Sequence, residues 1–234
     1  MVSIHKKLVG KPLDPWAELL QGAGVVSIVT ATSLTQGQGA AGTSIATASI
    51  TPAANQLLLL HVVTATSGGG ATPSSITGNG LTWTLVDDVA LGNVRSTVYS
   101  AIGASPSAGA ITINYSVAQT NALWQVVQLN NAATSGTVVQ HAVGSANNTA
   151  VSATLGAGPT PGNAVLGFLA HNSTTADPTP GPDAYVAVTA QQTRSTPSVK
   201  QWIEFSQSPQ SATVTATNPS AGNYGFVAVE IKHI

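Results

Sequence analysis

The chain has 234 residues with seven basic and eight acidic side chains, a formal net charge of −1 and no cysteine. Without thiols there is no cysteine nucleophile, disulfide or thiolate metal site, and without a basic face to neutralise phosphates, nucleic acid and anionic membrane are not expected partners. Charged residues make up 6% of the sequence, against about 25% in an ordinary soluble domain, so Ser, Thr, Asn, Gln and Gly must wet a surface that repels neighbours poorly.

In chain order, the first 24 residues stand apart as an N-terminal arm. Lys6, Lys7, Lys11, Asp14 and Glu18 fall within them, a third of all the charge. Asp14-Pro15-Trp16 followed by Leu19, Leu20 and Gly22 supplies an N-cap, a proline at the first helical position, a short apolar face and a terminating glycine, which predicts one or two helical turns. Lys11, Pro12 and Asp14 occupy the place where the apolar core of a signal peptide would have to be, so no export signal is expected. Lys6, Lys7, Lys11, Leu13, Trp16, Leu19 and Leu20 are the candidate partner-binding residues, with Trp16 as the anchor, if the arm clamps onto a neighbour; the alternative is a strap lying on its own domain.

From residue 25 onward, β-branched runs alternate with Gly, Pro, Asn and Ser clusters, the pattern of an all-β sandwich. The strands are expected at Val25–Thr32, Thr43–Ile50, Gln56–Thr64, Leu81–Val89, Val94–Ile102, Ala110–Val117 and Ala122–Asn130. Leu57–Val63, interrupted by His61, is far shorter than the run of about 18 apolar residues that a membrane helix requires.

A second set of runs repeats the first in order. Thr43–His61, with Pro52 and Asn55, rhymes with Thr149–His171, with Pro161 and Asn163. Ser105-Pro106 before Ile111 rhymes with Ser208-Pro209 before Thr213, and Trp124–Leu129 with Phe226–Ile231. The chain therefore reads as an internal duplication, pseudo-repeats at about 25–131 and 137–234. The short joint at Asn131–Thr137 favours one double-sheet, jelly-roll-like sandwich to which both halves contribute, over two tandem sandwiches.

Ionisable groups that could converge on chemistry are few. The five histidines are scattered, with no HxH or HxxxH spacing for a metal. His61 and His171 are placed at matching strand ends. Asp87-Asp88 reads as a solvated hairpin turn before a calcium site. The proline-rich stretch His171–Asp183, with Asp177 and Asp183, reads as a stiff surface loop before a calcium or glycan site. Glu204 and Glu230 have no supporting motif for a glycosidase pair. Neither a GxSxG elbow nor a phosphate loop is present. Trp83, Trp124 and Trp202 sit in apolar strand patterns and are expected in the core. No catalytic residue, cofactor or metal is expected.

Several segments resemble a family of all-β modules found in bacterial surface proteins and in tailed-phage structural proteins. They are Asn55–Leu60, Ile76–Val86, Val98–Ala101, Gly162–Phe168 and Val227–Lys232. The resemblance implies a concanavalin-like or jelly-roll sandwich of the kind found on capsid decorations, tail proteins and fibres, with no catalytic signature. Bacterial surface members usually follow a signal peptide, whereas virion proteins are made in the host cytoplasm without one, so the expectation is a non-enzymatic phage virion protein. It would decorate the capsid exterior through its arm and sandwich, with the major capsid protein or other virion proteins as partners, and would form a homo-oligomer. The alternative is a tail- or fibre-associated module, or a bacterial surface carbohydrate-binding adhesive module that takes a surface glycan.

Overall fold

The structure is a computed structural model that describes residues 28–66, 69–172, 176–188, 192–195, 198–207, 209 and 211–234. The arm, with its candidate residues Lys6, Lys7, Lys11, Leu13, Trp16, Leu19 and Leu20, lies outside the described residues, as do residues 25–27 of the first expected strand. All the regular structure described is β, and every ladder is antiparallel.

The first half contributes β1 (Thr30–Gly39), β2 (Gly42–Ala46), β3 (Leu57–Ala65), β4 (Ser75–Gly78), β5 (Thr84–Leu91), β6 (Val94–Ala101), β7 (Ile111–Gln119) and β8 (Asn121–Asn130). They form a five-stranded sheet, β1-β8-β3-β6-β5, and a three-stranded sheet, β2-β7-β4. The second half contributes β9 (Val138–Thr154), β10 (Ala164–His171), β11 (Thr179–Pro180), β12 (Val186–Ala187), β13 (Gln192–Ser195), β14 (Ser198–Ser206) and β15 (Thr213–Ile231). The large sheet of this half runs β15-β10-β14, with β9 on β15 and with β12 and β13 on β14.

The second half repeats the first with strands fused. The long β15 combines the places of β7 and β8, and the long β9 those of β1 and β2. A register break between Thr217 and Gly222 marks where β15 passes from the outer layer to the large sheet. Paired ladders fix the correspondence: Leu57 opposite Leu129 matches Ala164 opposite Ile231, and Leu58 opposite Ala101 matches Val165 opposite Ser206. The turns agree. Ala53 N–H donates to Gln128 Oε1 at 2.8 Å, and Thr160 N–H to Glu230 Oε1 at 2.8 Å. In these two turns Asn55 (φ 59°) and Gly162 (φ 91°) hold the left-handed position. Asn55 therefore corresponds to Gly162 and Pro52 to Pro159, so the rhyme with Asn163 and Pro161 is shifted by one and two residues.

The pairings differ from the expected sharing of sheets. Among the described residues each half pairs its strands only with one another, and the single isolated bridge between the halves, Ala132 to His233, joins the connecting segment to the C-terminus. The halves instead pack their large sheets face to face. Leu57, Leu59, Val98, Val127 and Leu129 of the first meet Leu166, Phe168, Ile203, Val229 and Ile231 of the second in one buried cluster. Each half closes its own outer core on the opposite face. In the first, Leu58, Leu60 and Trp124 pack on Ile111, Ile113 and Tyr115; in the second, Val165, Leu169 and Trp202 pack on Val151, Ala153 and Val214. Large sheets buried on both faces explain why β3, β8 and β10 read as continuous apolar runs instead of alternating ones.

β1 begins at Thr30 and runs on through Gly37 and Gly39, beyond the expected end at Thr32. Its glycines hid the strand from sequence. A Cβ at Gly37 would strike the Trp124 ring, and one at Gly39 the Ile45 side chain, so both are needed for close packing.

Candidate functional site

His61 and His171 are not equivalent. By register His61 corresponds to Phe168, and His171 to Thr64. His61 points between the large sheets and His171 points to the opposite face of its own, because His171 lies three residues beyond Phe168 and an odd offset in a strand reverses the side. The His61 and Phe168 rings meet edge-on, with centroids 5.4 Å apart. Around them the contacts are reciprocal. Ser96 Oγ–H donates to Phe168 O at 3.2 Å, and Gln201, which occupies the place of Ser96 in the second half, donates to His61 O at 2.8 Å. Since the Ser96 proton is committed, His61 Nε2–H donates to Ser96 Oγ (2.9 Å), and Nδ1 is left without a partner. Burial pushes His61 down to about 3, so it is neutral. This centre is sealed between the sheets and belongs to the packing of the halves.

Glu204 and Glu230 are both completely buried. Burial pushes Glu230 up, but Asn163 (2.7 Å), Gln140 (2.6 Å) and the Thr160 N–H (2.8 Å) outweigh it and hold the carboxyl below its ordinary range. It serves as the clasp of the β9–β10 turn. Glu204 accepts only the Gly181 N–H (3.1 Å), its Oε1 has no partner, and burial raises it to about 8. It occupies the place of Tyr99, whose hydroxyl donates to Pro73 O.

Asp87 and Asp88 lie in strand β5, not in a hairpin turn; the turn is at Gly92-Asn93. Asp88 pairs with Arg95 and accepts from Thr72 Oγ1 (2.6 Å), whereas Asp87 accepts from His141 Nδ1 (2.6 Å). Their partners hold them apart, so they do not share a cation. Arg95, partly buried, also donates to Gly70 O (2.7 Å), and its counterpart Lys200, fully buried, donates to Ala176 O, so one cation in each half fastens the loop that follows β3 or β10. In the proline-rich loop Asp177 stands 3.9 Å from Lys200, and Asp183 accepts the Ser211 N–H (3.0 Å). Among the described residues no three His, Asp or Glu side chains converge on a metal position, and no helix is long and apolar enough to cross a membrane.

Every Trp, Tyr and Phe among the described residues is buried, Trp83, Trp124 and Trp202 included. The described surface therefore offers no ring on which a sugar could stack. What it does offer is a trough where the halves meet, between the edge strands β5 and β9. Among the described residues β5 pairs only with β6, and the first part of β9 only with β15. Leu85 and Val139 line it, 47% and 45% exposed, and Val143, 43% exposed, follows on the same face of β9. A groove of about 490 Å³ over Leu85, Ser100, Val139 and His141 continues past Val138 into one of about 500 Å³ over Pro161, Lys232 and His233. The His141–Asp87 bond ties β9 to β5 across it. The run Val138–Asn148 carries no Asp, Glu, Lys, Arg or Pro, the residues that ordinarily blunt an open edge. Sequence reading missed this strand, although its alternating Val139, His141, Val143 pattern is the available signal.

Comparison with known proteins gives no match to any family model, curated protein or solved structure.

Proposed function

We propose that the chain is a non-enzymatic structural protein of a tailed-phage particle, most simply a decoration of the capsid exterior that binds the shell and sister subunits through its N-terminal arm and sandwich. The observation that carries this reading is the distribution of chemistry. Both strand-borne glutamates, every described aromatic ring and the His61 centre are sealed inside, while the described exterior is mostly neutral hydroxyl and amide and includes the uncharged, partly apolar edge of β9. Such a surface suits fixed contacts with other proteins better than turnover of a small molecule. The strand order adds support. β1-β8-β3-β6 facing β2-β7-β4 accords with the connectivity of an eight-stranded jelly roll, an architecture frequent in capsid and lectin domains, whereas β5 departs from it by pairing with β6 instead of β4. The burial of the rings weighs against the carbohydrate-binding alternative, and attachment to a tail or fibre is left as the second location.

The test is quantitative mass spectrometry of purified particles, joined to binding by a variant that lacks residues 1–24. Hundreds of copies per particle and loss of binding by the truncated, folded protein are expected. A handful of copies would move the protein to the tail. Absence from particles, or undiminished binding without the arm, would refute the reading.

A further inference from the structure

Short length, a bulge or a charge stops the edge of a sheet from pairing with another chain, and most edges of this sandwich carry at least one of them. Among the described residues β11 and β12 are two residues long, β4 and β13 four, and β2 is five with a register break between Gly42 and Ser44. β1 is broken between Ser33 and Thr35, and β5 is broken between Leu85 and Asp87 and carries both acids. β9 has none of these devices between Gln140 and Asn148. Its ladder with β15 runs unbroken from Gly222↔Asn148 to Glu230↔Gln140, no described strand pairs with its other side, and the run holds no Asp, Glu, Lys, Arg or Pro.

We propose that this edge is the two-fold interface of a homodimer, in which Gln140–Asn148 of one copy pairs antiparallel with Gln140–Asn148 of a second and joins their large sheets into one. An axis at Gly144 sets Gln140 opposite Asn148, His141 opposite Asn147, Ala142 opposite Ala146 and Val143 opposite Ser145, so no like charges meet across the seam. The acids of the neighbouring β5 are engaged within their own chain, Asp87 by His141 and Asp88 by Arg95. The paired run supplies about nine main-chain hydrogen bonds, within the number that a standard interface carries. Its rim is about 30 Å long and, with two sheets packed about 10 Å apart, about 20 Å deep. That is about 600 Å² per copy and about 1,200 Å² in all, at the lower bound of what a specific, stable pair buries. The inference concerns the chain in solution and is decided apart from its location on a particle.

Sedimentation velocity of the full chain between about 1 and 100 µM should show a monomer–dimer equilibrium. Val143→Lys should weaken it at least about ten-fold, whereas Val117→Lys, exposed on β7, should leave it unchanged. A monomer throughout this range, or equal weakening by the two variants, overturns the proposal. The absence of native cysteine lets the orientation be read separately. A two-fold axis at Gly144 brings the two copies of position 143 within about 8 Å of each other and holds those of position 139 about 30 Å apart. A short bis-maleimide should therefore join Val143→Cys chains into covalent dimers at least about ten-fold faster than Val139→Cys chains. Equal rates, or faster joining through position 139, refute antiparallel pairing of this edge.

Discussion

Glu204→Gln isolates the cost of a buried acid. Glu204 is fully buried, accepts one backbone hydrogen bond and has an oxygen without a partner; a Cβ on Gly167 would lie only 2.8 Å from that oxygen. Its carboxyl is raised from 4.5 to about 8. Between these values the native state holds a proton that the unfolded chain releases, so stability falls as pH rises. The slope is about 1.4 kcal/mol per pH unit and the total about 5 kcal/mol by pH 9. His61 works in the opposite direction. It is depressed from 6.5 to about 3, so the unfolded chain takes up a proton that the native state refuses, and stability is lost as pH falls from 6.5 to 3. From 4.5 to 6.5 these two losses trade one for one, and His171, lowered from 6.5 to about 4, adds a second loss on the acid side, so the sum still rises with pH by about 1.4 kcal/mol per pH unit. Glutamine keeps the acceptor for the Gly181 N–H and cannot ionise. The new amide donors add a constant of about 1–3 kcal/mol that does not vary with pH. Urea unfolding followed by tryptophan fluorescence at pH 5, 6, 7 and 9 reads the result. The parent should gain stability from pH 5 to 6 and weaken from 7 to 9, while the variant should gain about twice as steeply from pH 5 to 6 and stay level from 7 to 9. Parallel curves for the two proteins from pH 5 to 9 would refute the assignment of a buried, protonated Glu204.

His61→Gln should flatten the acid limb, removing most of the loss between pH 6.5 and 3, with the remainder due to His171, which burial and then Lys200 lower to about 4, and, below 4.5, to Glu230, whose hydrogen bonds hold its carboxyl low; an unchanged acid limb in urea titrations contradicts this. Gly167→Ala places a methyl group against the Phe226 ring and Glu204, and should cost about 1–3 kcal/mol in unfolding free energy at pH 5. A variant as stable as the parent would show that the strand relaxes freely there. Arg95→Ala removes the ties to Gly70 O, Thr72 and Asp88 and should cost about 1–3 kcal/mol, with increased proteolysis confined to the loop after β3. Val143→Lys on the open edge should leave the unfolding midpoint within about 0.5 kcal/mol and lower self-association in sedimentation at high concentration.

The fold class and the duplication were legible because they rest on composition and order. β-branched runs and turn residues recur in the same sequence in both halves, and no tertiary contact is needed to see it. Register was not legible. The two QLLLLH-like and GFLAH-like endings invited a match of His61 with His171, yet the ladders pair His61 with Gln125 and Lys200 with His171, and the equivalent of His61 is Phe168. A strand buried on both faces has no alternation to show which side a residue faces. β9 was missed for the opposite reason. Its Gly, Ala and Asn content lowers strand propensity, and it is held by pairing with β15 and by the clasp from Gln140 to Glu230.

The reciprocal contacts at His61 and Phe168 bear on how the two halves came to share one core. A face that packs on a copy of itself places equivalent residues opposite each other at the axis, and this is the arrangement found. Positions 61 and 168 meet ring to ring, positions 96 and 201 each reach across to the main chain of the other half, and Leu59, Val98 and Leu129 share the central cluster with their counterparts Leu166, Ile203 and Ile231. Two tandem sandwiches joined only by a linker would show no such reciprocity. The contact is nevertheless unlike on its two sides. His61 has Ser96 to satisfy one nitrogen, Phe168 needs nothing, and Gln201 in the place of Ser96 spans the gap with a longer side chain. Exchange of the halves would therefore leave a polar group without its partner, which makes the fused pair specific in register and leaves the edges β5 and β9, not the interior face, for contact with other molecules.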